Sequence, residues 1–172
     1  MVAGNRIAKN KRLDATFSEI TKLGPKGAEL RAQIKTIMSE ETSTFQDYYL
    51  RSLKLEGVLD EYDTQKQRLR PLMDAMLAEM TDQPKVAELI RTVQSINDKD
   101  AEVVKLLRLE IAKSKELMSV PASRQTNFYR QEIVPLEREA ARVANEEIGM
   151  MRDAEQAGMK WPLDVKELLK PN

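Results

Sequence analysis

Apolar residues recur at spacings of three and four along most of this chain. Val86, Leu89, Ile90, Val93, Ile96, Val103, Val104, Leu107, Ile111, Leu117 and Met118 make one wide apolar face. That is the pattern of a long amphipathic helix. A second series runs Ile34, Met38, Glu41, Phe45, Tyr48, Ser52, Leu55, Leu59, Tyr62, Lys66, Leu69, Met73, Met76, Met80. Its 4-3 alternation never slips, a coiled-coil-type signal that predicts a helix over roughly 27–80. Two features are able to interrupt it. Ser39 to Thr44 is polar, with Thr44 and Asp47 at capping-box spacing, and Pro71 lies inside the run.

Punctuation supplies the remaining boundaries. Ile7, Leu13, Phe17 and Ile20 predict a first helix over 5–23. Gly24-Pro25-Lys26-Gly27 then reads as a stop and a restart, because Gly ends helices and Pro begins them. The segment 81–84 is a turn with Asp82 as N-cap, and Pro121 marks another. A fourth helix carries Tyr129, Ile133, Leu136, Ala140, Val143, Glu147, Met150 and Ala154, with Pro135 near its start and Gly158 at its end. The expected organisation is one bundle domain over 1–158 and a tail over 159–172 with a short amphipathic piece.

Lengths turn these segments into an architecture. At about 1.5 Å per residue the third and fourth helices each span about 50 Å, and an unbroken second helix about 80 Å. The expected fold is all-α: an elongated antiparallel bundle of three long helices, with the N-terminal helix folded back on the protruding part of the second. A break at Ser39 to Thr44 gives instead a more compact four- or five-helix bundle.

Composition narrows the chemistry. There are 28 basic and 28 acidic residues, which argues against a dedicated nucleic-acid binder. The chain has no histidine and no cysteine. That excludes histidine acid–base catalysis, Ser-His-Asp triads, Glu-x-x-His di-metal sites, disulfides and thiolate metal sites. The expectation is a protein that is not an enzyme and needs no cofactor or metal. No apolar run is long enough to span a membrane. A cytoplasmic location is expected, or a periplasmic one if a signal or membrane segment was trimmed. The bases Arg6, Lys9, Lys11 and Arg12, and the paired acids Glu40-Glu41 and Glu146-Glu147, read as solvated helix faces. Met73, Met76 and Met80 read as core, with a partner groove near Pro71 as the minority reading.

Three core-phase positions are polar: Lys66, Asn97 and Asp100. Folding the hairpins about Asp82 and Pro121 sets Lys66 near Asn97 and Asp100, Asp100 level with Arg142, and Asn97 level with Asn145. The expected result is a mid-bundle layer of Lys66, Asn97, Asp100, Arg142 and Asn145. Such a layer fixes register; the sharper alternative is a pocket for a charged ligand. The tail supplies a candidate partner-binding segment, Met159, Trp161, Leu163, Val165 and Leu168, with docking on the bundle end as its structural alternative.

The runs "LRPLMDAMLAEM" and "LIRTVQSINDKDAEVVKLLRLEIAKSKELM", followed by a loop and "NFY", resemble the flagellar type III export chaperones of the FliT and FlgN kind. The matching residues are Asn97, Asp98, Asp100 and Tyr129, within a stretch of about half the chain. The resemblance implies a small bacterial helical protein that holds an export substrate by its helical terminus and delivers it. By position alone, Trp161 to Leu169 would be the counterpart of a last helix that covers the binding surface. The expected function is therefore non-enzymatic capture of a helical segment of a protein partner. Alternatives are a sensory, ligand-binding four-helix receptor domain and a self-associating structural coiled coil.

Overall fold

The computed structural model describes the backbone of residues 2–80 and 84–159 and the side chains of 11–80 and 84–159. Five α-helices follow one another: α1 Val2–Met38, α2 Phe45–Glu79, α3 Pro84–Leu117, the short α4 Ala122–Phe128, and α5 Val134–Gln156. A π-helical turn, Tyr129–Ile133, joins α4 to α5. The first three helices have 37, 35 and 34 residues, so each is about 50–55 Å long. The run from α4 to the end of α5 forms a fourth arm of matching length. Four arms alternate in direction around a common core, an all-α helical bundle. No helix among the described residues is long and apolar enough to cross a membrane.

The long second helix expected over 27–80 is not formed. The chain turns at 39–44 instead, so the more compact of the two expected arrangements is the one observed. Chemistry at Thr44 explains the break. Its hydroxyl accepts the Asp47 N–H at 3.1 Å, and the Asp47 carboxylate accepts the Thr44 N–H at 3.0 Å. A complete capping box satisfies two N–H groups that a helix start leaves unpaired.

The expected break at Gly24 to Gly27 is likewise absent: α1 runs through it, with Pro25 inside the helix. The reason is phase. Leu13, Phe17, Ile20, Gly24, Gly27, Arg31, Ile34 and Met38 keep one 4-3 alternation, so both halves of α1 face α2 along one seam. Tertiary packing then outweighs a local cost of about 3 kcal/mol for an interior Pro and about 1 kcal/mol for each Gly. Pro71 is carried inside α2 in the same way.

The core is divided along the bundle axis. One end holds Phe17 and Ile20 from α1, Met73, Met76 and Met80 from α2, Val86, Ile90, Val93 and Ile96 from α3, and Ala154 and Met159. The middle holds Leu30, Leu55, Leu59, Tyr62, Val104, Leu107, Ile111 and Ala140. The far end is smaller: Tyr48, Leu117 and Ile133, with Phe45, Phe128 and Tyr129 against them. The π turn sits beside Pro135. That residue has no N–H to donate, and the Val134 N–H reaches back to the carbonyl of Tyr129.

The end of α5 is a Schellman motif. The Met159 N–H bonds the Ala154 carbonyl and the Gly158 N–H bonds that of Glu155, both at 2.9 Å. Gly158 has φ +96, open to glycine at no steric cost. The turn drives Met159 into the apolar end, where it is buried.

Gly24 and Gly27 give a direct test of the α1 reading. A Cβ added at either would meet no atom within 4 Å. Gly24→Ala and Gly27→Ala should therefore each raise unfolding free energy by about 0.5–1 kcal/mol in urea titrations.

Candidate functional site

Between the apolar end and the middle core lies a belt of charged groups drawn from all four arms. Asp100 of α3 is its centre and is 5 % exposed. Its Oδ1 accepts from Arg31 of α1 at 2.9 Å, and its Oδ2 accepts from the Tyr62 hydroxyl at 2.8 Å. The Lys66 ammonium of α2 lies 2.9 Å from Oδ2 and donates to Asn97 Oδ1 at 2.6 Å. Arg31 also pairs with Glu147 of α5, which is itself buried. The belt thus holds two cations, Arg31 and Lys66, and two anions, Asp100 and Glu147. Burial of a charge is tolerated when it is paired and hydrogen-bonded. Desolvation pulls the Lys66 ammonium below its ordinary pKa, against the raising effect of Asp100. It pushes the Tyr62 hydroxyl well up, as does the neighbouring Asp100 carboxylate.

Lys66, Asn97 and Asp100 come together as the hairpin geometry requires. Arg142 and Asn145 do not join them. Both are exposed, and Arg142 pairs with Glu139 and Glu146 of its own helix. Two physical reasons account for this. The cross-helix pairs Lys99–Glu146 and Lys113–Glu132 set α5 about a turn further along α3 than a hairpin centred on Pro121. The inward face of α5 is Ala140, Val143, Glu147 and Ala154, from which Arg142 and Asn145 are turned away. Glu147, expected on a solvated face, takes their place, and Arg31 supplies the cation. Glu147 was on the core phase of the sequence pattern, so its burial was legible there. Arg31 became readable only once α1 was known to be continuous.

A second buried carboxyl sits near the far end. Glu110 is 2 % exposed and accepts the Tyr48 hydroxyl at 2.6 Å. Its Oε2 has no hydrogen-bond partner. Arg51 approaches it at 3.8 Å and Glu137 at 3.9 Å, and stacks over the Tyr48 ring at 4.8 Å. Burial raises the Glu110 pKa above the usual carboxylate range, opposed by the Tyr48 hydrogen bond. Tyr129 donates to Glu137 at 3.1 Å, and its hydroxyl is pushed up to about 12 by desolvation and by that carboxylate. Phe45, Tyr48 and Tyr129, with Thr42, Ser43 and Thr44, line an open cleft of about 360 Å³. Sequence reasoning missed Glu110, although it stands three residues after Leu107 and four before Ser114 on the apolar stripe.

Of the candidate partner-binding segment, Met159 is core rather than an exposed contact, because the Schellman turn folds it inward. Trp161, Leu163, Val165 and Leu168 lie outside the described residues. Lys11 and Arg12 are exposed, and Arg12 reaches Glu79 at 3.6 Å. Met73, Met76 and Met80 are buried in the core. The class that fold and geometry define is an all-α bundle with a charged belt across its middle. No protein-family model, curated protein or solved structure matches the chain.

Two variants test the electrostatics. Asp100→Ala removes the acceptor shared by Arg31, Lys66 and Tyr62 and should lower unfolding free energy by about 2 kcal/mol, whereas Asn145→Ala should change it by no more than about 0.5 kcal/mol; urea titration separates them. Glu110 binds its proton more tightly folded than unfolded. Its contribution is therefore favourable at low pH and is lost as pH rises through the raised pKa. Glu110→Gln should raise the Tm at pH 7–8, with the gain shrinking towards pH 4.

Proposed function

We propose that this chain is a non-enzymatic, cytoplasmic protein that holds an amphipathic helix of a protein partner, in the manner of the export chaperones its α2–α3 hairpin resembles. One observation carries the reading. Six of the nine methionines gather at one end of the bundle: Met73, Met76 and Met80 on α2, Met150 and Met151 on α5, and Met159. Unbranched, polarisable thioether side chains adapt to varied apolar partners, and they are over-used at surfaces that accept more than one helix. A core needing only one fixed packing is better specified by Leu, Ile and Val. The charged belt supports the reading from the other side. It separates the methionine-rich end from the middle core, so rearrangement at that end leaves the register of the rest in place.

Site-specific photo-crosslinking in the native host tests this. A photoreactive residue at Leu72, half-buried beside the methionine cluster, should give a discrete adduct whose cross-linked peptide is an amphipathic helix. The same group at Leu109, exposed on α3, should not. Absence of an adduct at Leu72, or identical adducts at both positions, would refute the reading.

A further inference from the structure

The two halves of α1 are held differently. The second half places Leu30, Ile34, Ile37 and Met38 in the middle core, and Arg31 ties it to Asp100 of α3 and Glu147 of α5. The first half places Leu13, Phe17 and Ile20 on the methionine-rich end. Its one cross-helix ion pair up to Leu23, among the described residues, is Arg12 with Glu79 at 3.6 Å, between an exposed guanidinium and a half-buried carboxylate. Such pairs hold weakly.

Between the halves, the cross-helix ion pair among the described residues is Lys26 with Glu61 of α2 at 3.1 Å, between partly solvated groups that hold weakly. No residue between Ile20 and Leu30 is buried. Gly24 and Gly27 occupy the core-phase positions, where a side chain would otherwise grip α2, and the space beside them is open. Pro25 removes the N–H that would bond the carbonyl of Thr21. Local opening falls where buried contacts and backbone bonds are fewest.

We propose that the part of α1 ending at Leu23 is a lid hinged at Gly24–Gly27, and that its opening frees the methionine-lined groove for an amphipathic helix of a protein partner. The identity of the occupant rests on the function proposed above. The lid itself shows what fits the groove. The occupant presents large apolar side chains at the spacing of Leu13, Phe17 and Ile20, and a basic residue beside them, as Arg12 stands opposite Glu79. Binding is then a replacement of one helix by another of the same chemistry. Arg31 keeps the second half of α1 in place throughout.

The absence of native cysteine makes the lid easy to lock. In the double variant Arg12→Cys/Glu79→Cys, a short bismaleimide bridges the two positions, and N-ethylmaleimide gives the unbridged control. The probe is a fluorescein-labelled peptide copying Asn5 to Leu23, followed by anisotropy. It should bind the unbridged protein at least tenfold more tightly than the bridged one, and the Phe17→Glu peptide should not bind. Hydrogen exchange on the unmodified full chain should show amides 11–23 opening faster than 28–38. The difference should shrink in Gly24→Ala/Pro25→Ala/Gly27→Ala. Equal affinity for bridged and unbridged protein, no binding to either, or α1 exchanging as one unit would overturn the lid. Peptide binding that depends on the bridge, with no adduct at Leu72 in cells, would uphold the lid and remove the cellular partner.

Discussion

The carboxylate of Asp100 is the point on which the bundle's register turns. It is buried on α3 and takes donors from α1 and α2, and through Arg31 it is linked to Glu147 on α5. Apolar faces alone leave antiparallel helices free to slide by a turn at small cost. A buried charge removes that freedom, because a slip of one turn would strand ions away from water. Here the pairing couples all four arms at one level. The cost of burying the Asp100 and Glu147 carboxylates is offset only if each finds its cation, so the belt favours one alignment over its neighbours.

That constraint divides the molecule into parts with different tasks. On one side of the belt the core is Leu, Ile, Val and Tyr, residues with well-defined packing. On the other side six methionines meet the first half of α1 across a helix segment that lacks both core contacts and a backbone hydrogen bond. Rigid registry beside adaptable packing is what the proposed exchange of one helix for another would require. The far end adds a third environment, where Glu110, Tyr48, Tyr129 and Arg51 form a buried polar cluster next to the π turn that Pro135 imposes.

Much of this was legible in the sequence, and the failures have identifiable causes. The 4-3 alternation correctly marks the inward faces of α2 and α3, and it brings Lys66, Asn97 and Asp100 together. It failed at the Ser39 to Thr44 boundary, and Gly/Pro punctuation failed at Gly24 to Gly27. The alternation continues through the Ser39 to Thr44 turn and also through Gly24 to Gly27, so phase cannot say which of them is a break. At Thr44 a reciprocal capping box starts a new helix, while across Gly24 the packing of the flanking halves of α1 on α2 keeps that helix continuous. Arg142 was misplaced because the level of α5 depends on the turn and the π-helical turn before it, which a hairpin centred on a proline does not include, and Asn145 because it lies off the face that carries Ala140, Val143 and Glu147.

The sequence by itself determined the all-α class, the inward faces and the polarity of the core layer, because these follow from side-chain spacing along a helix of fixed pitch. Tertiary structure decided which interruption became a turn, which helix supplied the second cation, and which acid of α5 was buried. Those outcomes depend on competition between a local cost of a few kcal/mol and packing against a partner helix. Only the assembled bundle specifies that partner.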